Sequence, residues 1–262
     1  QPQAPIEIPK IGLYPYLNSA HPNSPQAGIL FYRAHYLSGN LAPVDALCQA
    51  LSDRGINPVP VFIYSLQDPD LETALQKYFH NIDVLLNTTS FSLTKPGTED
   101  KGSIWHALNV PILQVICSSS TRSQWQNRSL GLAPRDIAMN VALPEVDGRI
   151  ITRAVSFKSV EQRSEALETD ITIYEPVRDR IDFVADLAAN WVKLRRKPRG
   201  DRKIALILAN YPTRNGRLAN GVGLDTPASC IEILKAMQAA GYDAIDIPKD
   251  SDELINRLTQ NV

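Results

Sequence analysis

The alternation of apolar runs with helical patterns constrains the fold of this chain more than any other feature of the sequence. Runs typical of strands, such as "AGILFYR", "PVPVFIYS", "IDVLLNTTS" and "PILQVICS", are separated by amphipathic segments such as "APVDALCQALSDRG" and "DPDLETALQKYFH". Strands that alternate with helices form parallel sheets. The runs "VLL" and "ILQVI" are apolar on both faces, as expected when helices cover both sides of a sheet. The sequence therefore predicts an α/β fold with a doubly wound parallel sheet of the flavodoxin or Rossmann type.

The predicted elements divide the chain into two α/β units. Residues 1–175 form the first, with a less regular stretch in which we expect a helix and a small hairpin that turns at "VDGR". Residues 176–200 are predicted to be a connecting amphipathic helix and a basic linker, which is typical of a solvated helix end or of an anion site. Residues 201–262 begin a second α/β unit with the predicted strands "KIALIL" and "DAIDIP". Two strands and two helices cannot close a core alone, so we expect this unit to be truncated or to join the first sheet.

Charge, hydropathy and cysteine content restrict the partners and the compartment. The formal net charge of the 262 residues is -1, so no overall field would hold a nucleic acid or an anionic membrane surface. No run approaches the 18 apolar residues of a membrane span, and the first residues lack the pattern of a secretory signal. The cysteines, 3 in number and without a CxxC pair, indicate neither a disulfide framework nor a zinc site. A cytoplasmic protein is expected.

A glycine-rich stretch, "ANYPTRNGRLANGVGLDTPASC", follows the predicted strand "KIALIL". A loop after a parallel strand lies at the carboxyl edge of the sheet, where α/β folds bind ligands, and Gly221 and Gly223 allow backbone amides to approach a ligand closely. Asp225 or Thr226 can cap the helix that follows, whose first amides would favour a carboxylate. The stretch is neither GxGxxG nor a phosphate-binding loop, and a purely structural turn explains it equally well.

The run "RKIALILANYPTRNGRLANGVGLDTPASCIEILKAMQAAGYD" resembles a signature of the large subunit of cobaltochelatase, which is similar to the large porphyrin-binding subunit of magnesium chelatase. Three earlier segments resemble the same family in the same order: "GILFYRAHYLSGNLAPVDALCQALSDRGINPVPVFIYSLQDPD", "VLLNTTSF" and "VPILQVICSSSTRSQWQNRSLGLAPRDIAMNVALPEVDGRIITRAVSFK". A later motif of the family, similar to "HGTLEWLPGK", does not occur here. The resemblance therefore implies an N-terminal-to-middle fragment, inactive when isolated.

The resemblance implies an enzyme of the ligase class, a subunit of a cobaltochelatase that inserts Co²⁺ into a corrinoid ring for cobalamin biosynthesis. The alternative within the family is a magnesium chelatase subunit that acts on protoporphyrin; "NGVGLDTPAS" and "PTRNGR" are closer to the cobalt branch. The large subunit would bind the tetrapyrrole, and separate AAA+ subunits would bind and hydrolyse ATP. A non-catalytic α/β module that binds a ligand or docks partner subunits remains the alternative outside the family's chemistry.

Metal insertion requires a base for the pyrrole protons, so the resemblance directs attention to His35. The segment "FYRAHYLSGN" would hold His35 just past a strand as the candidate catalytic base. Tyr32 and Arg33 precede it, and Arg33 could pair with a substrate carboxylate. The alternative is a structural histidine in a tight turn.

Further candidates lie in other loops. Glu145 and Asp147 would point the same way if extended and could hold the metal, although a solvated hairpin explains them too. Asn87 and Thr88 end a predicted strand and could hydrogen-bond the substrate, or cap a turn. The candidate substrate-binding groups of the second unit are Arg214, Gly221, Gly223, Asp225, Thr226 and Ser229.

Overall fold

Strands and helices alternate through most of the chain, as the periodicity predicts. The computed structural model describes residues 7–16, 24–94, 104–129, 131–209, 219, 221 and 223–260. Its strands are β1 (Ile11–Leu13), β2 (Gln26–Tyr32), β3 (Asn57–Ile63), β4 (Val84–Asn87), β5 (Ile112–Thr121), β6 (Ile150–Ser164) and β7 (Thr169–Pro176). Its α-helices are α1 (Arg33–Leu37), α2 (Ala42–Ser52), α3 (Leu71–Tyr78), α4 (Ile104–Leu108), α5 (Arg122–Asn127), α6 (Pro134–Ile137), α7 (Leu143–Val146), α8 (Arg178–Arg196), α9 (Thr226–Ala239) and α10 (Ser251–Thr259).

The described strands form a seven-stranded sheet in the order β1-β3-β2-β4-β5-β6-β7. The strands from β3 to β6 in this order run parallel, while β1 and β7 pair antiparallel at the two edges. Numbered along the chain, the parallel strands have the order 2-1-3-4-5 of flavodoxin-like folds. The prediction of a doubly wound parallel sheet is therefore confirmed.

Alternate residues of the central strands pack on opposite faces of the sheet, because side chains alternate with a period of two. Ile29 and Phe31 of β2 belong to the core beneath α2 and α8, together with Leu47 and Val184. Leu30, between them, packs in the opposite core with residues of α3 and α4. Apolar layers on both faces explain why "VLL" and "ILQVI" show no alternation in the sequence.

The carboxyl-terminal half of the first unit differs from the prediction in two places. The segment "VDGR" is not a hairpin turn: α7 ends there, after the π-helical turn Ala138–Ala142, and residues 147–148 lead into β6. The hairpin joins β6 to β7 through residues 165–168 instead. The helix expected as a connector, α8, buries an apolar face in the core. The compact unit therefore extends over Gln1–Arg195 rather than ending at residue 175.

The second compact unit, Arg196–Val262, has the two helices that the sequence predicts. Cys230 and Ile231 of α9 and Leu254 of α10 form its small buried core. Among the described residues of this unit, neither "KIALIL" nor "DAIDIP" is a strand. Ile207 is 91% exposed, and no described strand pairs with either of these apolar segments.

Candidate functional site

The strand order reverses between β2 and β4, so their carboxyl ends form the switch point of the sheet, where α/β folds bind ligands. Strand β2 ends at Tyr32 and β4 ends at Asn87. The sequence-predicted residues Tyr32, Arg33, His35, Asn87 and Thr88 therefore share one edge, as their positions after predicted strands required. Their contacts determine what each can do there.

Tyr32 and Arg33 both bind other parts of the chain. The hydroxyl of Tyr32 donates to the carbonyl of Ser90, 3.1 Å away, and bridges the ends of β2 and β4. Arg33 donates from Nε to the carbonyl of Pro9 (2.8 Å) and from Nη2 to that of Ile8 (2.7 Å). The guanidinium thus anchors the segment that precedes β1, and its pairing with a substrate carboxylate stays a prediction.

His35 lies on the first helix after β2 and is half-buried. Its ring meets the ring of Tyr174 edge to face, with 5.3 Å between the centroids. Burial lowers the pKa of His35 below its usual value, so the imidazole is neutral at neutral pH. Beside it, Asn40 clamps β7 by donating to the carbonyl of Thr172 (3.2 Å) and accepting from the amide of Tyr174 (3.0 Å). The structure therefore gives His35 a fixed position and the protonation state of a base.

Asn87 is fully buried and is used within the sheet. Its amide nitrogen donates to Oε1 of Gln114 in β5 (3.0 Å), and its oxygen accepts from the amide (3.2 Å) and hydroxyl (2.8 Å) of Thr89. The hydroxyl of Thr88 donates to the carbonyl of Leu30 (2.9 Å). These bonds hold the ends of β2, β4 and β5 in register, and the contact of Asn87 and Thr88 with substrate stays a prediction.

Glu145 and Asp147 do not form the extended pair on which the metal prediction rested. Glu145 is an exposed residue of α7, and Asp147 follows the end of that helix. The Asp147 carboxylate pairs with Arg149 at 2.6 Å, and both side chains are 0% exposed. Burial by itself raises the pKa of Asp147, but the amides of Thr94 and Leu93 and the Arg149 guanidinium outweigh burial and lower it. Asp147 is therefore the ionised centre of a buried polar network. The extended backbone assumed for the pair is absent, and metal binding by Glu145 and Asp147 stays a prediction.

The same network includes a buried arginine that sequence reasoning missed. Arg149 donates from Nη1 to Oε1 of Gln114 (3.0 Å), and its guanidinium lies 5.1 Å from the centre of the Trp105 ring. Burial lowers the pKa of Arg149 in spite of its carboxylate partner. The one available signal was Gln114, a polar residue inside an apolar run, because a buried amide needs partners.

A second polar cluster, also missed, lies where β5 ends. Asp136 is 2% exposed and accepts hydrogen bonds from the hydroxyls of Ser118 (2.6 Å) and Ser119 (2.7 Å). Asn140, one helical turn further on, accepts from the hydroxyl of Ser90 (2.7 Å). The polar run "SSST", which ends β5 after its apolar residues, was the signal in the sequence. This cluster extends the hydrogen-bonded carboxyl edge from β4 to β5.

In the second unit, the described part of the glycine-rich stretch is a tight turn followed by a helix cap. Gly223 has a φ of +74°, which glycine adopts without steric cost. Asp225 caps α9 by accepting from the amide of Ala228 (3.0 Å), and Ser229 donates to the carbonyl of Asp225 (2.7 Å).

The remaining candidates of this stretch complete the turn. Gly221 forms an isolated bridge with Leu224, and Thr226 is the first residue of α9. Arg214 lies outside the described residues. The predicted capping is confirmed, while ligand binding by these groups stays a prediction.

The described part of the chain lacks two features, a cluster of metal-binding side chains and a membrane-spanning helix. The described residues contain no group of three or more His, Cys, Asp or Glu side chains that could hold a metal ion. Within the same ranges, no helix is long and apolar enough to cross a membrane.

Strand order and switch-point chemistry define the class: a doubly wound α/β protein of the flavodoxin type with a polar carboxyl edge. Comparison with known proteins then identifies the family. The CobN/Magnesium Chelatase family model matches residues 1–262, and the chain belongs to that family.

The relatives include cobaltochelatase and magnesium-chelatase subunits. Over 236 residues the chain is 47% identical to the aerobic cobaltochelatase subunit CobN of a Sinorhizobium species, covering 89% of this chain and 18% of that protein. It is 28% identical to a magnesium-chelatase subunit of Rhodobacter capsulatus, covering 96% of this chain and 23% of the relative. The solved catalytic subunit of cobaltochelatase from Mycobacterium tuberculosis matches with a TM-score of 0.81 at 34% identity, over 98% of this chain and 22% of that one. The chain thus spans about a fifth of the length of the relatives it matches.

Proposed function

We propose that this chain is part of the tetrapyrrole-binding large subunit of an ATP-dependent metal chelatase that inserts Co²⁺ into a corrinoid ring. Family membership supports the chelatase chemistry, and the higher identity to the cobaltochelatase subunit supports cobalt over magnesium. The observation that carries the proposal is the polar switch point between β2 and β4, because α/β folds bind ligands at that position.

In the proposed reaction His35 accepts a proton from a pyrrole nitrogen as the metal ion replaces it. A base must be unprotonated before it acts, and burial keeps the imidazole neutral. The contact with Tyr174 and the clamp by Asn40 fix the ring, so that it does not have to be ordered when substrate binds. Co²⁺ is a substrate of the reaction. The second proton and the ligands of the incoming ion belong to residues that we do not assign.

ATP hydrolysis is proposed to lie on separate AAA+ subunits. The chain contains no GxxxxGK[ST] run, which in other proteins cradles nucleotide phosphates. The large subunit then contributes binding and positioning of the macrocycle, and the partner subunits supply the energy for distortion of the ring and dehydration of the metal.

A non-catalytic docking module is the second candidate, and one specific observation favours it. Arg33, Asn87 and Asp147 direct their hydrogen bonds to groups of the chain itself rather than into open space. Such internal pairing is what a rigid scaffold needs. The two functions predict different results in a binding experiment.

The test uses the full-length protein that carries this sequence, a metal-free corrinoid, Co²⁺, ATP and the partner subunits. Titration with the corrinoid should shift its absorbance, whereas a docking module leaves the spectrum unchanged. The variant His35→Gln should lower the insertion rate by about 10²-fold or more while the corrinoid dissociation constant stays at the parental value.

The matched control is His80→Gln, since His80 is an exposed histidine that contacts the carbonyl of Lys77. This control should retain the parental insertion rate. Equal insertion rates for the parent and His35→Gln would remove His35 from the mechanism.

A further inference from the structure

The loop between β4 and α4 begins with residues 88–94, "TTSFSLT", and carries one bulky residue in a strained backbone conformation. Phe91 has a φ of +70°. A positive φ is rare for residues other than glycine, and for a bulky side chain it is a genuine outlier. The conformation therefore persists only because the surroundings of residues 88–94 impose it.

Hydrogen bonds from several elements impose that conformation. The Phe91 amide donates to the carbonyl of Met139 in the π-helical turn (2.9 Å), and the Ser90 carbonyl accepts from the hydroxyl of Tyr32 in β2 (3.1 Å). On the other side, Leu93 and Thr94 donate their amides to the buried Asp147 carboxylate at 2.9 and 3.0 Å. The loop is thus fixed on both sides of Phe91.

In spite of this fixation, Phe91 is 47% exposed. A fold that gains nothing from this ring would place a glycine or an asparagine at such a position, since both adopt positive φ more readily. Leu93, two positions later, does pack against a buried cluster, so the loop has its own apolar anchor without Phe91. The exposed ring therefore indicates a function other than stabilisation of the fold.

We propose that Phe91 is a stacking platform for one face of the planar tetrapyrrole. The ring lies at the switch point, three residues after Thr88, in a loop that Tyr32 ties to the end of β2. Aromatic side chains bind flat π-systems by offset stacking or edge contacts, and a rigid platform loses little entropy when the ligand binds. This assignment rests on the function proposed above and names a contact residue for the same substrate.

Replacement of Phe91 by glycine separates binding from stability, because the two should move in opposite directions. In the full-length protein, Phe91→Gly should raise the melting temperature by relieving the strained φ. The same change should weaken binding of a metal-free corrinoid by about tenfold, the loss expected for one stacking contact. Phe91→Tyr keeps the ring and should keep the parental affinity. Phe183→Leu, which alters an exposed phenylalanine on α8, is the matched control and should bind as the parent does.

The outcomes distinguish this inference from the proposed function. If the parent binds the corrinoid and Phe91→Gly binds it equally well, Phe91 is not a platform, although the chelatase function stands. If Phe91→Gly lowers the melting temperature, the ring serves packing and the inference is overturned. If the parent itself shows no corrinoid binding by absorbance, the proposed function and this inference fail together.

Discussion

The buried pair of Asp147 and Arg149 offers the sharpest test of the structure. Substitution Asp147→Asn removes the charge and keeps the shape of the side chain. In the parent, Oδ2 accepts from the Leu93 amide (2.9 Å), from Nε1 of Trp105 (3.2 Å) and from Arg149 (2.6 Å), while Oδ1 accepts from the Thr94 amide (3.0 Å). An asparagine oxygen can replace only one of these acceptors. Its NH₂ group would then face a donor, whichever way the amide is turned.

The size of the expected loss in stability follows from Arg149, which the substitution leaves buried without a charged partner. Both side chains are 0% exposed, so Arg149 cannot reach water when its partner loses its charge. Removing one member of a buried ion pair costs about 3–5 kcal/mol. For a protein of this size, that loss corresponds to a fall of about 6–20 °C in melting temperature. The free energy of unfolding should therefore drop by a large fraction of the roughly 5–15 kcal/mol that a folded domain has.

Chemical denaturation monitored by circular dichroism measures this loss, and Glu145→Gln is the matched control. Glu145 lies two positions earlier and is exposed, so its change should stay within about 0.5 kcal/mol of the parent. Arg149→Met removes the buried charge that Asp147→Asn leaves without a partner. Its cost in unfolding free energy should therefore be smaller in the Asp147→Asn background than in the parent. Equal unfolding midpoints for Asp147→Asn and Glu145→Gln would refute the buried network.

The dependence of this effect on pH has a definite sign. The pKa of Asp147 is lower in the folded protein than its usual value, so the folded state binds this proton less readily than the unfolded chain. The stabilisation is complete above the unfolded pKa of about 3.9 and is lost as the pH falls through the lower folded value. The difference between the parent and Asp147→Asn should therefore narrow below about pH 4.

Three further predictions concern the first unit, two from single substitutions and one from a titration. Asn40→Ala removes the clamp on β7, should destabilise the protein by about 1–3 kcal/mol because two backbone groups lose their partner, and should speed proteolysis of the β6–β7 hairpin. A methyl group at Gly28 would come within 2.9 Å of the Leu85 and Phe79 side chains, so Gly28→Ala should cost about 1–3 kcal/mol by thermal denaturation, and a neutral result would contradict this packing. NMR titration of His35 should give a pKa below the usual 6.5 because burial disfavours the cation, and a higher value would exclude the buried position.

Periodicity predicted the amino-terminal half of the sheet well and the β6–β7 hairpin poorly. Strands β2 to β5 are covered on both faces, so their sequences are continuous apolar runs that are easily recognised. The distal part of the hairpin is different: residues 162–170 are mostly exposed, and their polar sequence carries no apolar signal for a strand. In "VDGR", the turn that Gly148 suggests is present, but it ends helix α7 and does not join two strands, because the preceding residues from Pro134 onward are helical.

The position of the candidate site could be predicted, and the partners within it could not. Residues directly after parallel strands lie at one edge of the sheet, which places Tyr32, His35 and Asn87 at the same edge, while their binding of a ligand stays a prediction. The contact of Arg149 with Gln114, 35 positions away, depends on the register of β5 with β6 and on the helical insertion between them. A sequence pattern states what type of residue is present, but it does not state which buried donor meets which buried acceptor.

Internal pairing of the polar groups makes the edge rigid, and under the proposed function that rigidity serves a large flat ligand as well as it would serve a docked partner. A macrocycle that distorts during metal insertion needs a surface that does not itself rearrange, and unpaired polar groups at that surface would have to be desolvated at each turnover. Here Asp147, Asn87 and Tyr32 are used to fix residues 88–94 and the ends of the strands. His35, a neutral imidazole after β2, and Phe91, an exposed ring after β4, lie on either side of the switch point and are the ligand contacts that we propose. Under the proposed function, proton transfer belongs to a residue that follows β2 and stacking to a residue that follows β4. Either residue can therefore be substituted without altering the other.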